Sequence, residues 1–336
     1  NSATSALHIA CLSLGVGPGD IVWTSPNTFV ASSNCALYCG ASVDFVDINP
    51  KTYNMSVECL EDKLIIAKAK NMLPKVVIPV HQSGQSCDML AINKLSKEYG
   101  FKVIEDASHA IGGSFNDIKV GSNTYSDVTI FSFHPVKMIT SGEGGMALTN
   151  DLLTDKRLKL FRSHGITSNK EDMDHRDPDE LWNYQQLVLG YNYRMTDIQA
   201  ALGLSQLKRI DQFVEKRRAI ASRYDNLLKD LPVITPFQIK GVRSSYHLYL
   251  LRLDIDKINK SYIQIYNDLR ENGVLVNLHY IPVYLQPYYK NLGFKKGYCP
   301  ESESYHKTIL SMPIYTSFTN DEQDDVIKIL KEVLSR

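Results

Sequence analysis

The chain carries no net charge, no paired cysteines and no long apolar run, and each absence removes a class of function. Thirty-seven Lys and Arg against 37 Asp and Glu give a formal net charge of +0 at pH 7. Nothing therefore draws the whole surface to nucleic acid or to an anionic membrane, and an anionic ligand has to be captured locally. The six cysteines, Cys11, Cys35, Cys39, Cys59, Cys87 and Cys299, form no CxxC pair. That spacing predicts reduced, buried thiols in a cytoplasmic protein, with no disulfide frame and no metal site. No stretch approaches the roughly 20 apolar residues of a membrane span, and no signal peptide is visible. The 336 residues are 43% hydrophobic and 22% charged, which suits a soluble chain with a large core and two domains.

What is present centres on residues 126–149, SDVTIFSFHPVKMITSGEGGMALT. Two strand-like runs, 128–133 and 145–149, flank one lysine, Lys137, between Pro135 and the cluster Gly142, Gly144, Gly145. A lysine on a rigid turn between buried strands is desolvated, loses its proton readily and can form a Schiff base with an aldehyde, as pyridoxal phosphate requires. Ser132, five residues earlier, can reach a phosphate. Taken alone, Lys137 also reads as a surface lysine beside a glycine turn. The neighbouring run FKVIEDASH, 101–109, has the form of a buried parallel strand that delivers Glu105 and Asp106 to a sheet edge. A carboxylate there keeps a pyridine nitrogen protonated and makes the ring an electron sink. Asp106 fits that role, and equally the cap of a helix over 107–111.

The chain in order predicts a mainly parallel α/β sheet with helices on both faces. Residues 1–14, NSATSALHIACLSL, read as a helix capped by Ser2, Thr4 or Ser5, with free amides that can seat a phosphate. The glycines of GVGPG, 15–19, follow a helix and precede a strand, the reverse of a dinucleotide loop, and mark a turn. Strands are expected near 21–24, 42–46, 75–80, 101–105, 128–133 and 145–149, alternating with helices at 29–39, 57–70 and 89–99. A helix covers 152–161, the polar stretch 167–180 reads as a mobile loop, and one long amphipathic run spans 196–228. The composition change at 231–241 places a boundary between a large domain, 1–235, and a small α+β domain, 236–336. In the latter, strands are expected at 246–253 and 274–279 and helices at 261–272 and 320–334.

The set NSATSA, EDASHA, SFHPVK, GEGG and GYNYR resembles the DegT/DnrJ/EryC1/StrS family of pyridoxal-phosphate-dependent nucleotide-sugar aminotransferases, over nearly the whole chain. The resemblance implies a fold-type I transferase that forms a homodimer with shared sites and takes an amino group from L-glutamate. Within the family, NSATSAL, SFHPVK, FRSHGI and GYNYRMTDIQAALGLSQL look most like the pseudaminic acid branch, which aminates C4 of a UDP-linked 4-keto-6-deoxy-N-acetylhexosamine. Perosamine- or bacillosamine-type products and a non-catalytic pyridoxal-phosphate-binding regulator are the alternatives. A sugar dehydratase of the same fold would carry histidine where Lys137 stands. By resemblance, Lys137 holds the cofactor aldehyde and Asp106 its ring nitrogen, while Thr4, Ser5 and Ser132 hold its phosphate. Phe29 stacks on the ring, His109 lies near its phenolic side, and Asn192 reaches the partner subunit's cofactor. Phe29 serves equally as core filling, His109 as a structural hydrogen-bonder and Asn192 as a helix cap. Arg194, His279 and Tyr280 would contact the nucleotide sugar, although Arg194 equally suits an ion pair with Asp197 or Asp211, and His279 and Tyr280 equally suit packing at the domain junction. The loop HQSGQ, 81–85, resembles a segment that lines the substrate cavity. Family members carry several dozen residues before the position of Asn1, so the chain resembles a truncated product.

Overall fold

The computed structural model describes residues 1–335 apart from 175–179. Part of the stretch 167–180, expected as a mobile loop, thus lies outside the described residues. Helix α1 (Ala3–Ser13) opens the chain, followed by β1 (Ile21–Thr24), α2 (Ala31–Tyr38), β2 (Ser42–Phe45), α3 (Val57–Ala69), β3 (Val76–Ile78), α4 (Met89–Tyr99) and β4 (Lys102–Asp106). The local causes are legible in α4. Asp88 accepts from the Ala91 amide, Met89, Ile92 and Leu95 are buried, and Gly100 at φ 80° ends the helix in a left-handed turn that suits glycine. Burying three such side chains contributes roughly 5 kcal/mol of transfer free energy.

After the short hairpin β5 (Ser114–Phe115) and β6 (Ile118–Lys119), strands β7 (Val128–Ser132) and β8 (Gly145–Leu148) complete a six-stranded sheet of order β2-β1-β3-β4-β7-β8. Its pairs are parallel except β7 with β8, which is antiparallel. Strand β8 is an edge, with Met146 45% exposed, so only one of the strands flanking Lys137 is buried. Alternation sends Val22, Val76, Ile78 and Ile104 toward α1 and α2, and Trp23, Val77 and Val103 toward α3 and α4. Glu105 and Asp106, adjacent on β4, therefore face opposite sides. Asp106 meets α2, whereas Glu105 pairs with buried His81 at 2.7 Å on the other side.

Next come α5 (Leu152–Arg162), the antiparallel pair β9 (Ile166–Thr167) and β10 (Gln185–Gln186), α6 (Asp197–Leu207) and α7 (Ile210–Leu227). The run 196–228, expected as one helix, is broken at Lys208 and Arg209. The reason is that its halves serve different surfaces. Ile210, Phe213 and Val214 turn onto a cluster with Ala107, Ala110 and Phe131, while α6 buries none of its residues.

The C-terminal part holds β11 (Val233–Ile234), β12 (Val242–Arg243), β13 (Tyr249–Leu253), α8 (Tyr262–Glu271), α9 (Pro287–Asn291), α10 (Pro300–His306), β14 (Ile309–Met312) and α11 (Asn320–Ser335). Strands β11, β13 and β14 pair antiparallel, and their apolar side packs on α8 and α11. The strand expected at 274–279 makes only one bridge, Asn277 to Ser311 on the outer edge of β14, while the Val276 amide turns back to the Val274 carbonyl at 2.8 Å. Residues beyond 280 also return to the first core through Val283, Tyr284, Tyr289 and Cys299. All six cysteines are free, five of them buried and Cys59 half-buried. Among the described residues no helix is long and apolar enough to cross a membrane, and no group of side chains could hold a metal ion.

Candidate active site

A cavity of about 340 Å³ opens at the carboxyl ends of the strands. There the chain order reverses between β1 and β3, the position where open α/β sheets take ligands. The segment after β1 brings Thr28 and Phe29 to the cavity, the end of β3 brings Val80, and β4 ends on Asp106.

Lys137 reaches this cavity from the turn between β7 and β8. Its amide donates to the His134 carbonyl at 2.9 Å, and the next two side chains, Met138 and Ile139, are buried against Phe131 and Phe133. The turn is thus anchored, and the lysine stem has one way to go. Burial lowers the Lys137 amine to about 8, working against Asp106, whose charge raises it. A depressed lysine carries a signed prediction for the cofactor-free protein. With the folded value below the unfolded 10.5, the penalty of burying the cation is complete below about pH 8 and is relieved as pH rises to 10.5. Lys137→Met is therefore expected to raise stability at pH 7 by about 3 kcal/mol, a gain that fades above pH 10, as urea unfolding at the two pH values would measure.

Asp106 is 5% exposed and accepts once at each oxygen, leaving a lone pair on each: Ser32 Oγ donates to Oδ2 at 2.6 Å, and the Ser108 amide donates to Oδ1 at 3.1 Å. Residues 107–111 form turns, not the helix that Asp106 would have capped. Ser32, on α2, has no signal in the sequence beyond its helical register. Phe29 is 60% exposed and lines the cavity, so it does not fill the core and its face is free to stack.

The first turn of α1 closes one end of the site. Gly145 allows this, since a Cβ there would lie 2.3 Å from the Ser2 carbonyl carbon and 2.4 Å from the Ala3 amide nitrogen. Ser2, Ala3 and Thr4 line the cavity together with Ser132, and the unpaired amides and hydroxyls of a capped helix start suit a phosphate. Ser5 does not line the cavity. It is held in the capping box, donating to Asn1 Oδ1 at 2.7 Å, so Ser2 takes the place expected of it.

Histidines and a tyrosine make the opposite wall. His109 Nε2 and the Tyr280 hydroxyl are 3.3 Å apart, and His279 Nδ1 meets Ser311 Oγ at 2.7 Å. Burial first, then the charge of Lys137, lowers His279 to about 4 and holds His109 well below the usual histidine range. Both rings are neutral at pH 7. Burial, with Asp106 second, raises the Tyr280 hydroxyl, which stays protonated. His134 and Glu143, which sequence reasoning passed over, sit at the rim 3.8 Å apart.

Two expected placements differ, those of the loop 81–85 and of Arg194, whereas Asn192 is not expected in this chain's own cavity. The loop 81–85 lies behind the site rather than in it: Gln82 Nε2 donates to the His279 carbonyl at 3.2 Å, supporting the wall. Arg194 and Asn192 are exposed and outside this chain's cavity. Among the described residues Arg194 has no ion pair, and Asp211 pairs with Lys119 at 3.5 Å instead.

The fit to pyridoxal phosphate is direct. An amine with a lowered proton affinity, a buried carboxylate across the cavity, a helix start with two hydroxyls beside that of Ser132, an exposed aromatic face and an unpartnered buried Nδ1 on His109 are the groups such a molecule needs. A mainly parallel sheet with this rim is that of a fold-type I transferase. The family profile of the DegT/DnrJ/EryC1/StrS aminotransferases matches residues 1–331, and the chain belongs to that family. It is 37% identical over 339 residues to the UDP-4-amino-4,6-dideoxy-N-acetyl-beta-L-altrosamine transaminase of Campylobacter jejuni, covering 99% of this chain and 85% of that one. It is 34% identical over 336 residues to the GDP-perosamine synthase of Caulobacter vibrioides, covering 99% and 84%. Among solved structures, the PLP form of a Streptococcus pneumoniae protein described as a sugar aminotransferase superposes with a TM-score of 0.85 at 29% identity, covering 100% of this chain and 86% of that one.

Proposed function

We propose that this sugar aminotransferase moves the amino group of L-glutamate to C4 of a UDP-linked 4-keto-6-deoxy-N-acetylhexosamine, the step that serves pseudaminic acid biosynthesis. The observation that carries the reading is the placement of Lys137 and Asp106 in one half-enclosed cavity beneath the start of α1. Pyridoxal phosphate bound there supplies an aldehyde and an electron-withdrawing ring. Lys137 Nζ, half deprotonated near pH 8, would hold the aldehyde carbon, with loss of water. Freed by an incoming amino acid, the same amine would take up and return a proton. Asp106 holds the proton on the ring nitrogen, while Ser2, Thr4, Ser132 and the α1 amides hold the phosphate. Phe29 covers one ring face. Neutral His279 and protonated Tyr280 offer hydrogen bonds to an incoming sugar without a charge to repel a cationic intermediate.

The C4 assignment and the UDP group rest on the motif likeness and on the Campylobacter jejuni relative. Mass spectrometry of products from a panel of UDP- and GDP-4-keto-6-deoxy sugars with glutamate decides it. Amination of the UDP-N-acetyl substrate supports the reading; turnover of the GDP sugar alone would assign a perosamine-type product, and absence of turnover with any of them a binding protein.

A homodimer completes the proposal. Asn1 Nδ2 donates to the Asn192 carbonyl at 3.3 Å, and the rings of Tyr191 and Tyr193 pack on His8 of α1. The backbone of 190–194 is thus held while the side chains of Asn192 and Arg194 face outward. Next to them α6 exposes Ile198, Leu202, Leu204 and Leu207 around its circumference, apolar surface that a second copy would cover. If Asn192 acts in the neighbouring site, mixing inactive Lys137→Ala and inactive Asn192→Ala chains restores one intact site per heterodimer, so the heterodimer approaches half the wild-type activity and an equal mixture about a quarter. A mixture as inactive as its parents would place both residues in one chain's site.

A further inference from the structure

Behind the cavity wall stands a second imidazole with no signal in the sequence pattern. His247 lies in the segment that leads into β13, is 7% exposed and does not line the cavity. Its ring packs on that of His109, with centroids 4.4 Å apart and planes at 44°. The ring of His109 in turn runs at 21° to that of Tyr280, with Nε2 3.3 Å from the tyrosine hydroxyl. The three rings form a file, His247 inside and the other two at the wall.

The backbone of this file is fixed from two sides. Ser245 Oγ donates to the His109 carbonyl at 2.7 Å. Arg217, buried on α7, donates from one guanidinium nitrogen to the carbonyls of Tyr246 and His247 at 3.1 Å each and of Ile314 at 3.0 Å. Gly84 permits the close approach, because a Cβ there would lie 2.4 Å from Ser245 Oγ and 2.9 Å from the His109 carbonyl oxygen. Residues 245–247 and His109 therefore move together or not at all.

The Nδ1 of His247 and that of His109 are both buried without a hydrogen-bond partner, so what joins the two residues is the packing of their rings. Resting on the reading that the cavity holds pyridoxal phosphate, we propose that His247 is a positioning residue for amino transfer: its face holds the His109 ring at the angle at which His109 and Tyr280 present their polar edges to the cofactor. Groups held within a fraction of an ångström react far faster than the same groups left free to swing.

The test uses the wild-type holoenzyme and two variants. His247→Leu fills the volume but offers no ring face, and His247→Phe restores the face. His247→Leu is expected to lower kcat roughly ten- to a hundredfold with little change in KM for glutamate, and to alter the visible circular dichroism band of the resting holoenzyme. His247→Phe is expected to keep the native band and most of the turnover. In a His109→Leu background, adding His247→Leu should cost less than about twofold more, since residues acting through one another are not additive. An unchanged band and kcat in His247→Leu, a Phe variant as impaired as the Leu variant, or fully additive losses in the double variant would each overturn the assignment. A wild-type protein with no visible band would instead overturn the cofactor reading on which it rests.

Discussion

Lys137→Arg, loaded with pyridoxal phosphate, is expected to transfer amino groups more slowly than wild type by roughly a thousandfold or more, with the fold unchanged by far-ultraviolet circular dichroism. The change keeps a cation opposite Asp106 and so keeps the charge balance of the cavity. What it removes is chemistry. A guanidinium does not deprotonate in a protein, so it neither bonds an aldehyde carbon nor takes up and returns a proton. The lysine does both because burial brings its amine to about 8. A steady-state assay that follows glutamate-dependent product measures the loss, and Lys137→Arg turning over within tenfold of wild type would move the proton transfer to another group.

Asp106→Asn is expected to cost roughly a hundred- to a thousandfold in kcat while the protein stays folded. The carboxylate accepts from both Ser32 Oγ and the Ser108 amide, and asparagine cannot accept at both positions. The adjustment is local. Ser32 Oγ lies 2.7 Å from Thr28 Oγ1, so its hydroxyl can turn to donate there and accept from the new amide while the asparagine oxygen keeps the Ser108 bond. The catalytic loss comes instead from the missing charge, without which the ring nitrogen is not held protonated. Kinetics of the variant beside its thermal melt separate the two effects. Near wild-type turnover would show that the nitrogen's partner lies elsewhere.

How far the sequence went depends on whether a feature was local. Lys137, Asp106 and Ser132 stand at the ends of strands whose apolar runs are unmistakable, and α/β alternation fixes which ends of those strands meet. The first turn of α1 was legible as a capped helix start, but which of Ser2 and Ser5 lines the cavity was not, because both satisfy a capping pattern and only the bonds of the folded chain commit Ser5 elsewhere. The break between α6 and α7 carries no glycine or proline. It follows from the separate surfaces the two helices meet. Strand β14, four residues long, was missed because nothing but its pairing with β13 distinguishes it from a buried turn of helix. The loop 81–85 was placed in the cavity by likeness alone; the burial of His81 against Glu105 draws it behind the sheet end. Ser32 and His247 act through contacts 74 and 138 positions away in the chain, Ser32 with Asp106 and His247 with His109, and no local pattern announces such pairs.

The most direct test of the central claim is chemical. The holoenzyme is treated with borohydride, digested, and its peptides are sequenced by mass spectrometry. The account predicts a single labelled peptide, with the reduced pyridoxyl phosphate group on Lys137 and the visible absorbance lost in step with labelling. Label on any other lysine, or a protein that binds the cofactor without a reducible bond, would contradict it.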